Sequence, residues 1–564
     1  MKKRLTLVIS ALLLSAFALS ACSSGGGGEA TTAGSEGGSS AAQKEAEAGD
    51  AGELKEIHVQ VGPSPETIDP ALNTTVDGGN MIIHAFEGLL KFDQNNNVVA
   101  GLAESHEVSE DGLTWTFHLR EGLKWSDGSD LTAKDFEYSW KRMADPLTAA
   151  PYGYDLLNMI EGYDQAMEGN VEALKAEAVD DKTFVVTLKN PCTYFDKIAA
   201  FASLVPVQQA TIEANGDGWT IDPATYVTSG PYYMTEFTDG AQIVFEKNPN
   251  YHDVTNITFD KIVWHLIEDA NTAYTAYTQG DLSMIKTLPT EEIPSLRGSD
   301  EFHVDPNMGT YYVSFNTTKA PFDNAKVREA LSLVIDRDYV ANTIMQGTYL
   351  PAKNFVGPGV SDAEPGKEFQ AVTEEKYGVR FDPAKHQEDV EKAKKLLEEA
   401  GYPGGEGFPT IEYSTNDQLY HKPVAEYLQS VRKEELGITV NINIEEWKTF
   451  SANRRAGNFE VARNGWIYDW DDPSNMINLL ETNNGNNDGK FSNAEFDKLV
   501  EAARTTKDVK EHYDLLHQAE QVLLNEAAMA PIAYYTDPYL LKSNVKGTWH
   551  SPYGYWYFMY GIIE

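Results

Sequence analysis

The residues best suited to chemistry lie between Phe459 and Pro473, FEVARNGWIYDWDDP. An alternating, strand-like run carries Arg463 and Trp466 and stops at Asp469, Asp471 and Asp472. A carboxylate at the end of a strand can hold an amine through a charge-assisted hydrogen bond. The strand before it can pair its backbone with an extended guest of any sequence, because main-chain donors and acceptors are common to all peptides. Plainer readings stand beside these. Asp469 could cap a turn or helix, Arg463 and Arg454 could be partners in structural ion pairs, and Trp466 could be core.

Motifs for catalysis are missing. The chain has no G-x-S-x-G elbow, no H-E-x-x-H, no G-x-x-x-x-G-K and no G-x-G-x-x-G after a strand. One stretch imitates a calcium loop. Asn484, Asn486, Asp488, Gly489 and Glu495 fall at positions 1, 3, 5, 6 and 12, with the apolar Phe491 at position 8. Calcium favours a full carboxylate at position 1, where this chain has Asn484, so the stretch is expected to be a polar loop before a helix capped by Ser492 or Asn493. No metal or other cofactor is expected, and no enzyme activity.

The N-terminus points outside the cytoplasm. Lys2, Lys3 and Arg4 precede a mostly apolar run, Leu5 to Leu19, too short for a comfortable membrane span and typical of a secretory signal. It closes in Leu19-Ser20-Ala21-Cys22, the pattern at which a bacterial lipoprotein is cut and its new N-terminal cysteine lipidated. Residues 1–21 are therefore expected to be removed and Cys22 to carry lipid on the extracytoplasmic face of the cell membrane. Residues 22–53 are rich in Gly, Ser, Ala, Thr and Glu and offer too little apolar surface to offset ordering. As a flexible coil they would span roughly 30 Å. Loss of the signal moves the net charge from −41 to −44. Such a surface repels phosphates, which excludes nucleic acid as a partner. Besides Cys22 there is one cysteine, Cys192, so the mature body has no disulfide of its own and relies on its core.

The body, roughly residues 54–564, is too long for a single core. Its pattern is mixed α/β. Thr114–Leu119 (TWTFHL) and Phe184–Leu188 alternate with the period of strands. Between them Thr132 heads a helix AKDFEYSWKRM, with Asp135 in capping-box position. Val390, Ala393, Leu396, Leu397 and Ala400 form one face of a helix ending at Gly401. Leu515, Leu516, Ala519, Val522 and Leu523 form another before a strand, Pro531–Tyr535.

Spaced motifs along the whole body carry a resemblance. They include ETIDPALNTTV, FEGLL at Phe86–Leu90, WTFHLREGLKWSDG, LTAKDFEYSWKR, DPLTAAPY, FEKNPNY, KVREALSLVIDRD, KKLLEEAGYP, EEWKTF and FEVARNGWIYDWDDP. The chain resembles the extracytoplasmic oligopeptide-binding proteins of ABC importers, in the peptide and nickel substrate-binding family. The resemblance implies a monomeric two-lobed clam of the type II periplasmic-binding-protein kind (cluster C), with a hinge. Residues 54–87, 212–308 and 537–564 would form lobe I, 88–211 an inserted domain II, and 309–536 lobe III. Short peptides would lie extended between lobes I and III and pass to a membrane permease.

Position by position, Asp469 would hold the peptide's N-terminal ammonium. Gly465, Trp466 and Ile467 would pair with its main chain, and Thr75, Val76 and Tyr152 would form the facing wall. Arg463, Arg454 and His421 would meet the C-terminal carboxylate or line the channel; taken alone, His421 reads as a surface residue. Relatives with a cysteine pair bracketing lobe III have it where this chain has Gly309 and Ile467, and two of their cleft acids fall on Thr74 and Ser314. Other solutes fit the same fold. An oligosaccharide would use Trp447, Trp466 and Trp470 as stacking faces, and a metal chelate is a further alternative. A secreted peptidase would need a nucleophile or metal set.

Overall fold

The computed structural model describes residues 55–564 except Thr193, Pro365 and Leu419. The expected signal segment, Cys22 and the tether lie outside the described residues. Among the described residues no helix is long and apolar enough to cross a membrane.

The alternating segments fold as their period requires. Thr114–Leu119 is a strand that buries Trp115, Phe117 and Leu119 and turns the residues between them outward. It pairs with Thr183–Thr187, Ala103–Val108 completes one edge, and Ala176–Ala178 completes the other, giving a four-stranded antiparallel sheet within residues 88–211. The helix Ala133–Ala144 lays Phe136, Trp140 and Met143 against this sheet, and the Thr132 backbone N–H donates to Asp135 Oδ2 over 2.8 Å. Farther on, His386–Glu399 buries Val390, Ala393 and Leu397, and the chain leaves it through Gly401 at φ +96°. Val509–Asn525 buries Leu516, Ala519 and Leu523. The strand after it is longer than expected, Met529–Leu541.

That strand is one of two that organise the molecule. A mixed sheet of 11 strands runs in the order Val440–Glu445, Ile411–Asn416, Val461–Ile467, Phe302–Phe315, Met529–Leu541, Met284–Ile285, Glu56–Gln60, Lys261–His265, Gln242–Lys247 and Tyr232–Thr238, with Leu350–Pro351 also on Met529–Leu541. Strands from residues 411–467 make one half and strands from residues 56–285 the other. Phe302–Phe315 and Met529–Leu541 belong to both halves. Their antiparallel register breaks between Pro306/Thr536 and Thr310/Tyr534, so that Asn307, Met308 and Gly309 stand opposite Tyr535 alone. An insertion of this kind bends and twists a strand pair locally. Gly309 stands directly opposite Ile467 on the neighbouring strand. A cystine at these two positions would therefore staple adjacent strands rather than brace a whole lobe.

Residues 88–211 are fastened to the main body by a buried ion pair. Arg142 reaches both carboxylate oxygens of Asp69, at 2.9 and 2.6 Å, and the Trp219 indole N–H donates to the same group over 3.0 Å. With side chains 14% and 4% exposed, neither charge has ready access to water. Asp69→Ala leaves the guanidinium buried without its counter-ion, and removal of one member of such a pair costs about 3–5 kcal/mol. Urea denaturation of the variant should show a loss of that order. A change within error of zero would mean the pair is solvated.

Candidate functional site

The strand Val461–Ile467 has two different edges. One pairs with Phe302–Phe315 along its whole length, from Phe315↔Val461 to Gly309↔Ile467. The other pairs with Ile411–Asn416 only at Val461 and Ala462. From Arg463 onward that edge has no strand partner among the described residues. The Gly465 N–H donates to the neighbouring Asn464 Oδ1 over 2.8 Å. A Cβ on Gly465 would run into the Tyr535 hydroxyl, so only glycine fits there.

Where this strand ends, a turn brings Asp469 back under Trp466. Asn475 does the positioning. Its Oδ1 accepts from the Asp469 N–H and from the Trp466 indole N–H, each over 3.0 Å, and its Nδ2 donates to Asp469 Oδ2 over 3.2 Å. The Tyr152 hydroxyl donates to Asp469 Oδ1 over 3.4 Å, and the Tyr152 ring lies 5.7 Å from that of Trp466. Asp469 is 6% exposed and forms no ion pair with any described residue. Burial away from water, with Asp155 nearby, pushes its carboxyl from 3.8 up to about 8 despite the hydrogen bonds from Asn475 and Tyr152. A desolvated carboxyl without a cation is ready to receive one.

The far end of the same strand is cationic. Arg463 packs its guanidinium over the Tyr311 ring at 5.4 Å and donates to the Tyr535 hydroxyl over 3.3 Å. No described carboxylate pairs with it. His421, the first residue of the helix His421–Leu436, is buried rather than on the surface, with its ring 5.4 Å from Tyr311. Burial and the positive Arg463 hold it well below the ordinary histidine range, and it is neutral at pH 7. Arg454 differs. Its Nε lies 3.0 Å from Asp488 Oδ2, so its charge is already matched. The structural reading of Arg454 holds, and as a carboxylate anchor it is weakened by this partner.

The imitation of a calcium loop does other work. Asn484 and Asn486 turn their amides toward Asp155, donating over 2.6 and 3.1 Å. Asp488 faces Arg454 and Asn464, and Glu495 points outward on a helix, Ala494–Thr505, whose first N–H groups are capped by Asn493. The loop buckles residues 88–211 to the half-sheet instead of gathering oxygens around an ion.

All ten residues singled out for binding line one cavity of about 210 Å³: Thr75, Val76, Tyr152, His421, Arg454, Arg463, Gly465, Trp466, Ile467 and Asp469. Thr75 caps the helix Val76–Ala85, and Val76 and Ile467 both flank Gly554. Sequence reasoning missed Asn475, Tyr535, Asp77, Lys286 and Asp537. Only Asn475 had a local signal, its place just after the Asp472-Pro473 turn. The three tryptophans do not make a common platform. Trp447 and Trp466 reach the cavity, while Trp470 is buried against Phe201 at 6.4 Å, off the cavity wall. The oligosaccharide alternative loses a stacking face.

The fold and site define a two-lobed receptor that encloses its ligand between halves of one sheet. Residues 97–488 match the sequence profile of bacterial extracellular solute-binding proteins, family 5. The oligopeptide-binding protein OppA of Bacillus subtilis is 33% identical over 559 residues, covering 97% of each chain. The crystal structure of Haemophilus influenzae OppA in complex with RPPGFSPFR superposes with a TM-score of 0.83 at 32% identity, over 91% of this chain and 99% of that one. The chain belongs to the family 5 bacterial extracellular solute-binding proteins, a family of receptors and not of enzymes. The Escherichia coli murein tripeptide binding protein MppA is also similar. One structure of it superposes with a TM-score of 0.83 at 30% identity, and an unliganded open form of MppA with 0.61 at 29%, each over 91% of this chain.

The raised Asp469 carboxyl has a sign that can be checked. Between 3.8 and about 8 the unfolded chain has released a proton that the folded, peptide-free chain retains, so stability falls as pH rises through that window. Asp469→Asn removes the penalty. Its melting temperature should equal that of the unaltered protein near pH 4 and exceed it at pH 8 by on the order of 3 °C. An offset independent of pH would assign Asp469 a purely structural place.

Proposed function

We propose that this protein captures short peptides in extended form and delivers them to the membrane permease of an ABC importer. The observation that carries the reading is a strand edge left unpaired from Arg463 to Ile467 that ends at a buried carboxyl without a cation. Asp469 takes the peptide's N-terminal ammonium, Gly465, Trp466 and Ile467 pair with its main chain, and Thr75, Val76 and Tyr152 close the other side. Arg463, with His421 beside it, takes the C-terminal carboxylate. Charge at the two ends and main-chain pairing between them are independent of guest sequence, and water fills what the side chains leave. The complex of the Haemophilus influenzae relative with RPPGFSPFR supports a peptide as the guest.

Lobe I corresponds to residues 54–87, 212–308 and 537–564, the inserted domain to 88–211 and lobe III to 309–536. The register break around Asn307–Gly309 lies where the long strands pass from lobe I to lobe III, and it serves as the hinge. Cleavage after Ala21 and lipidation of Cys22 tether the receptor to the outer face of the cell membrane, with residues 23–53 giving it reach.

The test is a pair of peptides differing only by N-acetylation, titrated into protein refolded from denaturant to strip carried-over ligand. For the unaltered protein the free amine should bind at least about 100-fold more tightly, in line with the cost of a buried charge left unpaired. Asp469→Ala should erase most of that advantage and scarcely change the acetylated peptide. An equal loss for both peptides would sink the anchor.

A further inference from the structure

The charged groups on the cavity wall do not balance. Lys286 pairs with Asp537 at 3.4 Å, and Asn307 donates to the same carboxylate over 2.8 Å. Arg454 pairs with Asp488 at 3.0 Å. Arg455 is held by Glu66 and by the Thr74 hydroxyl, to which it donates over 2.6 Å. Three ionisable groups have no counter-charge among the described residues: Arg463, Asp469 and Asp77. A peptide with neutral side chains brings one carboxylate and one ammonium. These satisfy Arg463 and Asp469 and leave Asp77 over.

Asp77 is the second residue of the helix Val76–Ala85 and sits on the wall contributed by residues 55–87. Its Oδ2 exposes less than 1 Å² and has no hydrogen-bond donor. Burial raises its carboxyl above the ordinary aspartate value, with the Thr75 hydroxyl, the first N–H groups of the helix and Lys286 acting in the opposite direction, so the carboxyl has hydrogen bonds but no ion-pair partner. Lys286 is already engaged by Asp537. Gly62 is what makes room: a Cβ there would lie 3.2 Å from that of Asp77. Along the guest's path, Asp77 follows Val76, which flanks Gly554 together with Ile467. Ile467 lies two residues before the ammonium anchor and four after Arg463. Asp77 therefore faces the interior of a bound peptide, not its ends.

We propose that Asp77 is a specificity residue that receives the basic side chain, lysine or arginine, of an interior residue of the guest. This rests on the peptide-capturing reading above. The guest that matches the cleft is a short peptide carrying one more positive than negative charge. In the closed, water-poor cavity the added cation meets a carboxylate that otherwise stays buried and unpaired.

The test uses tetra-alanine and its variants with a single lysine, or the uncharged norleucine of similar length, at positions two or three. Each is titrated calorimetrically into refolded protein. One lysine peptide should bind about tenfold more tightly than its norleucine counterpart. In Asp77→Asn that advantage should shrink to within about twofold, while tetra-alanine affinity stays within about twofold of the original. Asp77→Ser, which keeps a first-turn side chain able to meet the helix N–H groups, should behave alike and guards against a folding defect in the first variant. A lysine advantage that is absent, or that survives both substitutions, overturns the proposal. So does an equal loss for every peptide together with a lower melting temperature, which would make Asp77 a helix-end acid only. Failure of every peptide to bind the unaltered protein would instead bring down the peptide reading itself.

Discussion

A carboxyl group held away from water without a cation is the constraint on which the site depends. Asp469 could be moved into the interior only if other groups kept it oriented there, and Asn475 does so by bonding both its backbone and its side chain. The same Asn475 fixes the Trp466 indole, so the anchor and the strand that leads to it are set by one amide. On the proposed reading, a guest ammonium would offset the cost of this burial, because a charge pair in a dry cavity is stronger than one at a surface. On the same reading, binding energy is placed at the two ends of the guest and along its main chain, which leaves most of its side chains free to vary.

Enclosure is what makes that arrangement effective, and it follows from the shared sheet. Two long strands run through both halves of the molecule, so the halves are joined by continuous backbone yet bend at the register break near Asn307–Gly309. Around the rim, ion pairs bridge segments far apart in the chain. Lys448 reaches Asp239 at 3.1 Å and Arg455 reaches Glu66. They are partly exposed, so each contributes little by itself. Together they link the two walls of the cavity across its rim.

Much of the fold was legible because it is local. Trp115, Phe117 and Leu119 alternate whatever surrounds them, and Phe136, Trp140 and Met143 recur at helical spacing before any partner is known. The core of the site was legible for the same reason: Arg463, Gly465, Trp466, Ile467 and Asp469 lie within one strand and its terminal turn. Thr75, Val76, Tyr152 and His421 reached the list only through family-like motifs, since no periodic signal links positions hundreds of residues apart. His421 shows the limit clearly. Its sequence context reads as surface, and its burial comes from packing against Tyr311 and Arg463.

By itself the sequence determined the α/β alternation and a strand that ends in acids, and it raised the expectation of a secretory and lipid-attachment signal. It also determined that partners must tolerate a strongly negative surface. Tertiary structure decided which charges are free. Asp488 occupies Arg454, Asp537 occupies Lys286, and Glu66 occupies Arg455, while Arg463, Asp469 and Asp77 are left without a counter-charge among the described residues. The reason is physical. Whether a charge is available depends on its distance to a counter-charge and on exclusion of water, and both are set by chain segments that meet only when the sheet and its two halves assemble.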